Sequence, residues 1–249
     1  MKLSRLARLT HRWLSYVIAL QVLAWVIGGV LFAWLPFQPW VKAGDFASPP
    51  APRLEARDGD ALLAGLQSLP AGTALRSAAS VAGPDGALWK LTRQDAPTLW
   101  LRADGRPHVP PDAATIERFA ATIYRGPGKQ AGPATQLSEV PARLGLVQET
   151  GGRGKLWRVT FDDVQRTRLY FDDTSGEFVT ARTEAWVWYD LLWRLHIMDY
   201  GEGEDFNNSL LRAAAPLALL LVLAGAILTV QAAWRARASK TPPRPRASR

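Results

Sequence analysis

The chain of 249 residues contains no cysteine. That removes disulfides, thiolate nucleophiles, zinc ribbons and cysteine-ligated iron–sulfur clusters in one step. It is compatible with an oxidising compartment but does not prove one. Histidine is almost as scarce, with only His11, His108 and His196. HExxH, Walker and GxGxxG patterns are missing, and no serine-centred motif accompanies a histidine. Nothing therefore supports a protease, a nucleotide site or a triad hydrolase.

Acidic residues are missing from both ends. Residues 1–12 carry Lys2, Arg5, Arg8 and Arg12, and the stretch from Arg235 carries six more cations. All 22 acidic residues lie between these ends, against 20 basic ones, so the net charge of +8 belongs to the termini. Such ends suit anionic lipid, and the nearly neutral middle excludes a nucleic-acid-binding domain.

Charge is also missing from two long stretches. Ala213 to Trp234 has no formally charged residue, and its 22 residues span about 33 Å as a helix, enough to cross a bilayer core. Glu202, Glu204 and Asp205 precede it and the basic tail follows, so the positive-inside rule places the C-terminus in the cytoplasm. Trp13 to Val41 is the second uncharged stretch, apolar to about Leu35. A signal peptide is the competing reading, with Phe46-Ala47-Ser48 the nearest weak cleavage candidate. The length of the apolar run favours an uncleaved anchor. Trp13 and Tyr16 at one end, with Trp34, Phe37 and Trp40 at the other, suit two membrane interfaces. The pairs Ala24/Gly28 and Gly29/Ala33, and the triplet Ala224-Gly225-Ala226, permit close helix packing within or between chains, or reflect ordinary Ala/Gly abundance.

Between the spans, residues 43–57 read as a Pro/Ala-rich linker. Leu62, Leu63, Leu66 and Leu69 predict a helix over Asp58–Leu69, ended by Pro70. Strands are predicted at Leu75–Val81, Leu88–Thr92 and Thr98–Arg102, with turns at Gly83–Gly86 and Asp104-Gly105. A helix follows over Asp112–Tyr124, capped by Asp112 and closed by Gly126. Beyond a flexible loop to Ala134, strands are predicted at Leu144–Glu149, Leu156–Phe161, Thr167–Phe171 and Glu177–Arg182. The segment Leu88-Trp89-Lys90-Leu91-Thr92 returns as Leu156-Trp157-Arg158-Val159-Thr160, each followed by a loop and a second strand. Two tandem units follow, each one helix on a small antiparallel meander.

Glu184–Met198 is dense in Trp, Tyr and Leu. It reads as an amphipathic helix at the membrane surface, or as a core helix of the outer domain. Asn207, Asn208 and Ser209 offer caps for the last helix. The expected organisation is α+β, with two transmembrane helices (13–36 and 207–234) flanking an outer domain. Its parts are a linker (37–57), unit one (58–125), unit two (126–183) and an interfacial helix with an acidic loop (184–206). Basic ends, 1–12 and 235–249, lie in the cytoplasm.

His108 sits in a Pro-rich turn and reads as an exposed loop residue. His11 and His196 fall at opposite faces, about 30 Å apart, so one chain cannot bring both to one metal or haem. His11 is an interfacial residue beside Arg12 and Trp13, or half of a site completed by another chain. His196 is a packed or hydrogen-bonded helix residue, or such a half-site. Asp190, His196 and Asp199 could form a carboxylate–histidine pair. Glu202, Glu204 and Asp205 could bind a cation, or form a hydrated loop before a helix N-terminus.

Three stretches carry a resemblance. Leu9-Thr10-His11-Arg12-Trp13-Leu14 is similar to the His-Arg-Trp opening of a membrane helix in the PepSY-associated transmembrane family. Trp157–Tyr170, with Phe161-Asp162-Asp163 and Leu169-Tyr170-Phe171-Asp172, resembles the end of a PepSY domain. Trp193-Arg194-Leu195-His196-Ile197-Met198-Asp199-Tyr200, followed by Glu204-Asp205-Phe206-Asn207, resembles the family's short, two-helix branch. The resemblance implies a bacterial inner-membrane protein with tandem PepSY units in the periplasm and both termini in the cytoplasm. It implies no catalytic residue in this chain itself. Some larger relatives are haem-containing reductases, so it makes His11 and His196 candidate ligands of haem b. It also implies a flavin or iron–sulfur reductase partner in electron transfer or iron uptake, and a homodimer is a further possibility. Its alternative implication is a membrane-anchored PepSY binding or regulatory module without a cofactor.

Overall fold

The computed structural model describes residues 2–34, 41, 43–70, 72–94, 96–127 and 130–239, without the side chains of 2–11, 14, 43, 224, 227, 228, 231 and 236–239. Phe37, Trp40, the side chain of His11 and the tail from Lys240 thus lie outside the described residues. The chain is α+β and divides into two compact units, residues 1–35 with 192–249, and residues 36–191.

The first unit is helical. α1 (Lys2–Trp34) runs unbroken for 33 residues. Within it, Ser15–Trp34 has a mean hydropathy of 2.2 and is long and apolar enough to cross a membrane, properties a signal sequence shares. α6 (Ser209–Ser239) contains Pro216, and its apolar part among the described residues is the shorter stretch Ser209–Leu223. The two helices pack together. On α1 the covered stripe is Ile18, Gln21, Val22, Trp25, Gly28, Leu31 and Phe32; on α6 it is Leu211, Ala214, Ala218 and Leu221. Alternating steps of three and four are the seam of two nearly parallel or antiparallel helices. Of the small residues singled out in the sequence, and among those whose side chains are described, Gly28 alone lies on the seam. Ala24, Gly29, Ala33 and Gly225 are exposed, and Ala214 and Ala218 provide the close approach instead.

The second unit holds two antiparallel sheets. α2 (Ala43–Phe46) precedes α3 (Ala56–Gln67), which opens on a reciprocal capping box between Glu55 and Asp58. β1 (Leu75–Gly83), β2 (Gly86–Arg93) and β3 (Leu99–Arg102) form the first sheet in that order. Gly105, at φ +79°, closes its last turn against α3; a Cβ there would lie 2.3 Å from the Ala61 carbonyl oxygen. α4 (Ala113–Ile123) begins at Asp112, whose carboxylate accepts from the Thr115 N–H at 2.8 Å. The second sheet runs β4 (Thr135–Leu137), β5 (Leu156–Thr160), β6 (Arg168–Asp172), β7 (Phe178–Arg182). α5 (Glu184–Ile197) follows.

The repeated segments occupy equivalent interior strands. Leu88 and Leu91 of β2 are 4% and 0% exposed, and Leu156 and Val159 of β5 are 2% and 0% exposed. Trp89 and Trp157 match as well, each with a buried indole N–H that has no hydrogen-bond partner among the described residues. α4, placed within 58–125 by its sequence position, packs on β5. Its Ile116, Phe119, Ala120 and Ile123 join Val159, Leu169, Phe171 and Ala181 in one core.

Two expectations are corrected. Leu144–Glu149 is not a strand. Leu144 (φ +51°) and Gly145 (φ +77°) turn the chain back, so that Arg143 and Val147 exchange backbone hydrogen bonds of 2.9 Å. Buried Val147 and Glu149 alternate as a strand would, which accounts for the misreading. The tract 43–57 is not wholly a linker either. Phe46 and Ala47 are buried in the second sheet's core, held where Ser48 N–H donates to the Ile123 carbonyl and Arg125 N–H to the Phe46 carbonyl, both at 2.8 Å.

Candidate functional site

His196 lies in the last turn of α5, in the first unit, and the loop after it is built to hold that turn. Met198, at φ +55°, ends the helix. Asp199 then gathers the loop: its Oδ1 accepts from Gly201 N–H at 3.0 Å, and its Oδ2 from Gly203, Glu204 and Asp205 N–H at 2.8, 3.0 and 3.0 Å. These amides, Asp205 and Gly201 foremost, hold the carboxyl below the ordinary aspartate range. The Arg194 guanidinium donates to the Gly201 carbonyl and lies beneath Gly203, where φ is +79° and a Cβ would meet Arg194 Cζ at 2.8 Å. Trp193 Nε1 donates to the Gly203 carbonyl at 3.2 Å, and Asn208 Nδ2 to the carbonyls of Ile197 and Asp205 at 2.9 Å. Asn208 also caps α6, its Oδ1 accepting from Leu211 N–H at 2.8 Å. The Trp-Arg-Leu-His run and the Gly/Glu/Asp loop are thus one structural clasp.

The clasp fixes the His196 ring among aromatics. Trp193 stacks at 6.3 Å and 22°, Phe32 meets it edge-on at 6.0 Å, and Trp25 is tilted at 6.5 Å. Nδ1 faces Gly28 of α1; a Cβ on that glycine would sit 3.7 Å away. A cavity of about 400 Å³ opens beside the ring, lined by Trp25, Trp193, His196, Ile197, Phe206 and Leu211. Two polar atoms here, His196 Nδ1 and Trp25 Nε1, are buried without a hydrogen-bond partner among the described residues.

The expected carboxylate–histidine pair is therefore not formed. Asp199 is taken up by backbone amides, and among the described residues no carboxylate reaches His196 Nδ1. Ligating histidines ordinarily have the second ring nitrogen hydrogen-bonded, and His196 lacks that support. His11 lies 17 residues before Gly28 on the same unbroken helix, about 26 Å along its axis. The two histidines are not brought together, so one chain does not complete a bis-histidine haem site. Among the described residues no three His, Cys, Asp or Glu side chains converge on a metal position, and Glu202 and Glu204 are exposed.

His108 differs from its expected exposure. It is half-buried and its Nε2–H donates to the Thr174 carbonyl at 3.0 Å, tying the turn after β3 to the β6–β7 turn. Burial, the largest cause, lowers its pKa below the ordinary 6.5, against the raising effect of the Thr174 bond. It lines a cavity of about 560 Å³ with Arg57, Arg102, Asp85 and Asp104 among others.

In the second unit, a charged cluster that sequence reasoning missed lies on the face of the second sheet opposite α4. Glu149 and Arg168 are 2% and 4% exposed. Arg168 Nε and Nη2 donate to Glu149 Oε1 at 2.9 and 2.5 Å, and Tyr170 Oη donates to Oε2 at 2.5 Å. Arg168 Nη1 reaches Glu184 at 2.7 Å, and Arg143 Nη2 reaches both Glu184 oxygens at 3.0 Å. Burial, then the Glu149 charge, pushes the Tyr170 hydroxyl above its ordinary range. Burial alone would raise Glu184; the Arg168 and Arg143 guanidiniums outweigh it and hold the carboxyl low. The one sequence signal was Arg168 itself, a cation at the head of a strand whose next three residues are apolar or aromatic. Over this cluster lies a cleft of about 310 Å³ lined by Arg143, Arg158, Thr160, Arg166, Arg168 and Glu184.

Compared with protein-family models, with curated proteins and with solved structures, the chain matches none of them.

Proposed function

We propose that this chain is an accessory subunit of a transmembrane reductase in a bacterial inner membrane. In this reading α1 and α6 are two spans, both termini are cytoplasmic, and the tandem helix-and-sheet stretches are PepSY-like units in the periplasm. The observation that carries it is His196: an imidazole on the α1–α6 seam, clasped by its own loop, with an orphaned nitrogen beside an apolar cavity. An ionisable residue packed against an apolar helix of spanning length, and kept in place by a dedicated loop, suits a functional position. The resemblance of residues 9–14 and 193–207 to the PepSY-associated transmembrane family supplies the redox direction. Haem b enters only as a group shared with a second chain, because each face offers a single histidine. That favours an accessory role beside a flavin or iron–sulfur reductase, or a homodimer, over a self-sufficient haem protein.

The test is a reduced-minus-oxidised absorbance spectrum of the full chain purified from its native membrane with whatever co-purifies. A redox-active chromophore present with the wild type and lost in His196→Ala and in the ring-conserving His196→Phe supports the reading. A wild-type preparation with no chromophore overturns it.

The second reading is a membrane-anchored periplasmic binding or regulatory module without a cofactor. The arginine-lined cleft of the second unit favours it.

A further inference from the structure

We propose that the cleft over β5 and β6 is a binding site for a small, multiply charged oxyanion. The cleft lies wholly within the second unit and does not depend on the redox reading. Four guanidiniums line the cleft, and two carboxylates, Glu184 at its wall and Glu149 behind it, face them. Both carboxylates are committed to Arg168 and Arg143. Arg158 and Arg166 make no ion pair and donate no side-chain hydrogen bond among the described residues, so the cleft carries about two uncompensated positive charges.

The backbone positions that carry these two arginines are fixed. Arg158 and Thr160 sit two apart on one face of β5, directly across from Tyr170 and Arg168 of β6. That row cannot shift without disturbing the buried Arg168–Glu149–Tyr170 cluster. Arg166 occupies the β5–β6 turn at φ +47°, a left-handed conformation unfavourable for a residue with a side chain. Two hydrogen bonds of 2.9 Å enforce it: Arg166 N–H donates to the Asp163 carbonyl, and the Arg166 carbonyl accepts from Arg168 Nη1. Asp163 is itself buried and locked by Tyr124 and by Thr167, whose N–H and hydroxyl donate to it at 2.9 and 2.5 Å. Planar guanidinium forks with a neighbouring hydroxyl match carboxylate or phosphate oxygens. A volume of about 310 Å³ is at the small end of ligand pockets, which run from about 300 Å³. The occupant is therefore a small polycarboxylate or phosphate compound, not a polymer.

The experiment is isothermal titration of the full chain in a non-ionic detergent with citrate and, separately, inorganic phosphate, at constant ionic strength set by chloride. Saturable one-to-one binding of either is expected. The arm that binds more tightly identifies carboxylate or phosphate chemistry. Arg158→Gln and Arg166→Gln each weaken it about tenfold, the loss expected for a charge-assisted contact. Arg106→Gln, exposed and not part of the cleft lining, leaves it unchanged. Unchanged thermal melting of the variants separates lost binding from lost folding. Binding of neither anion, or binding that ignores Arg158 and Arg166, overturns the proposal.

Discussion

The Arg168 guanidinium and the Glu149 carboxylate meet on the face of the second sheet away from α4, 19 residues apart in the chain and both under 5% exposed. Tyr170 takes the remaining Glu149 oxygen and Glu184 takes the remaining Arg168 nitrogen, so the pair is fully satisfied. Replacing one partner strands the other charge in a medium that cannot solvate it. Glu149→Gln or Arg168→Gln should cost about 3–5 kcal/mol of stability, and the double variant less than the sum of the two. Denaturant unfolding of the four proteins measures this; additive losses would mean the pair is not coupled.

Phe46 places an aromatic ring from the tract before α3 into the core formed by α4 and the second sheet. Truncation to alanine leaves a cavity there and should cost about 3 kcal/mol or more. It should also expose the tract around residue 48 to proteolysis. Unchanged cleavage at that tract, with unchanged stability, would show that the strap is not docked in solution.

His108 is neutral more readily in the fold than in the unfolded chain, because burial lowers its pKa. The unfolded state therefore binds more protons just below pH 6.5, and stability must fall as pH drops through that value toward the folded pKa. His108→Gln, which keeps a donor for the Thr174 carbonyl, should flatten this part of the profile. A melting temperature that is level between pH 7 and 5 in the wild type would contradict the assignment.

Asp199 acts in the same direction as His108, stabilising less as pH falls, but in a more acid window. Its four amide donors lower its pKa, so its contribution is present above pH 3.8 and is lost as pH falls through the folded value. Asp199→Asn keeps one acceptor oxygen and loses the other. It should loosen the clasp and, with it, the His196 ring, read as faster hydrogen exchange at Gly203, Glu204 and Asp205. Gly203→Ala should do the same by pushing Arg194 aside.

Local chemistry made much of the fold legible. Asp112 caps α4, and Ile116, Phe119, Ala120 and Ile123 repeat at helical spacing, so helix and buried face could both be read in advance. The Leu88–Thr92 and Leu156–Thr160 match found two equivalent strands. What escaped depended on partners far along the chain. Phe46 has no periodic neighbours and finds its core near residue 124. β4 is three residues long with no pattern of its own. Arg168 and Glu149 are ordinary surface residue types until a sheet and a returning loop enclose them. The surroundings of His196 come from Trp25, Gly28 and Phe32, some 170 residues earlier, so its motif was visible while its aromatic box was not.

In the proposed function the chain crosses the membrane twice with its second unit outside, and the lack of native cysteine allows this to be measured directly. Val164→Cys, at a position 94% exposed in the second unit, and Ser248→Cys, in the basic tail, are introduced separately and treated in intact spheroplasts with a membrane-impermeant maleimide. The account predicts labelling at position 164 without disruption, and labelling at position 248 only after the membrane is opened. Labelling of position 248 from outside, or a mature chain beginning near residue 48, would contradict it.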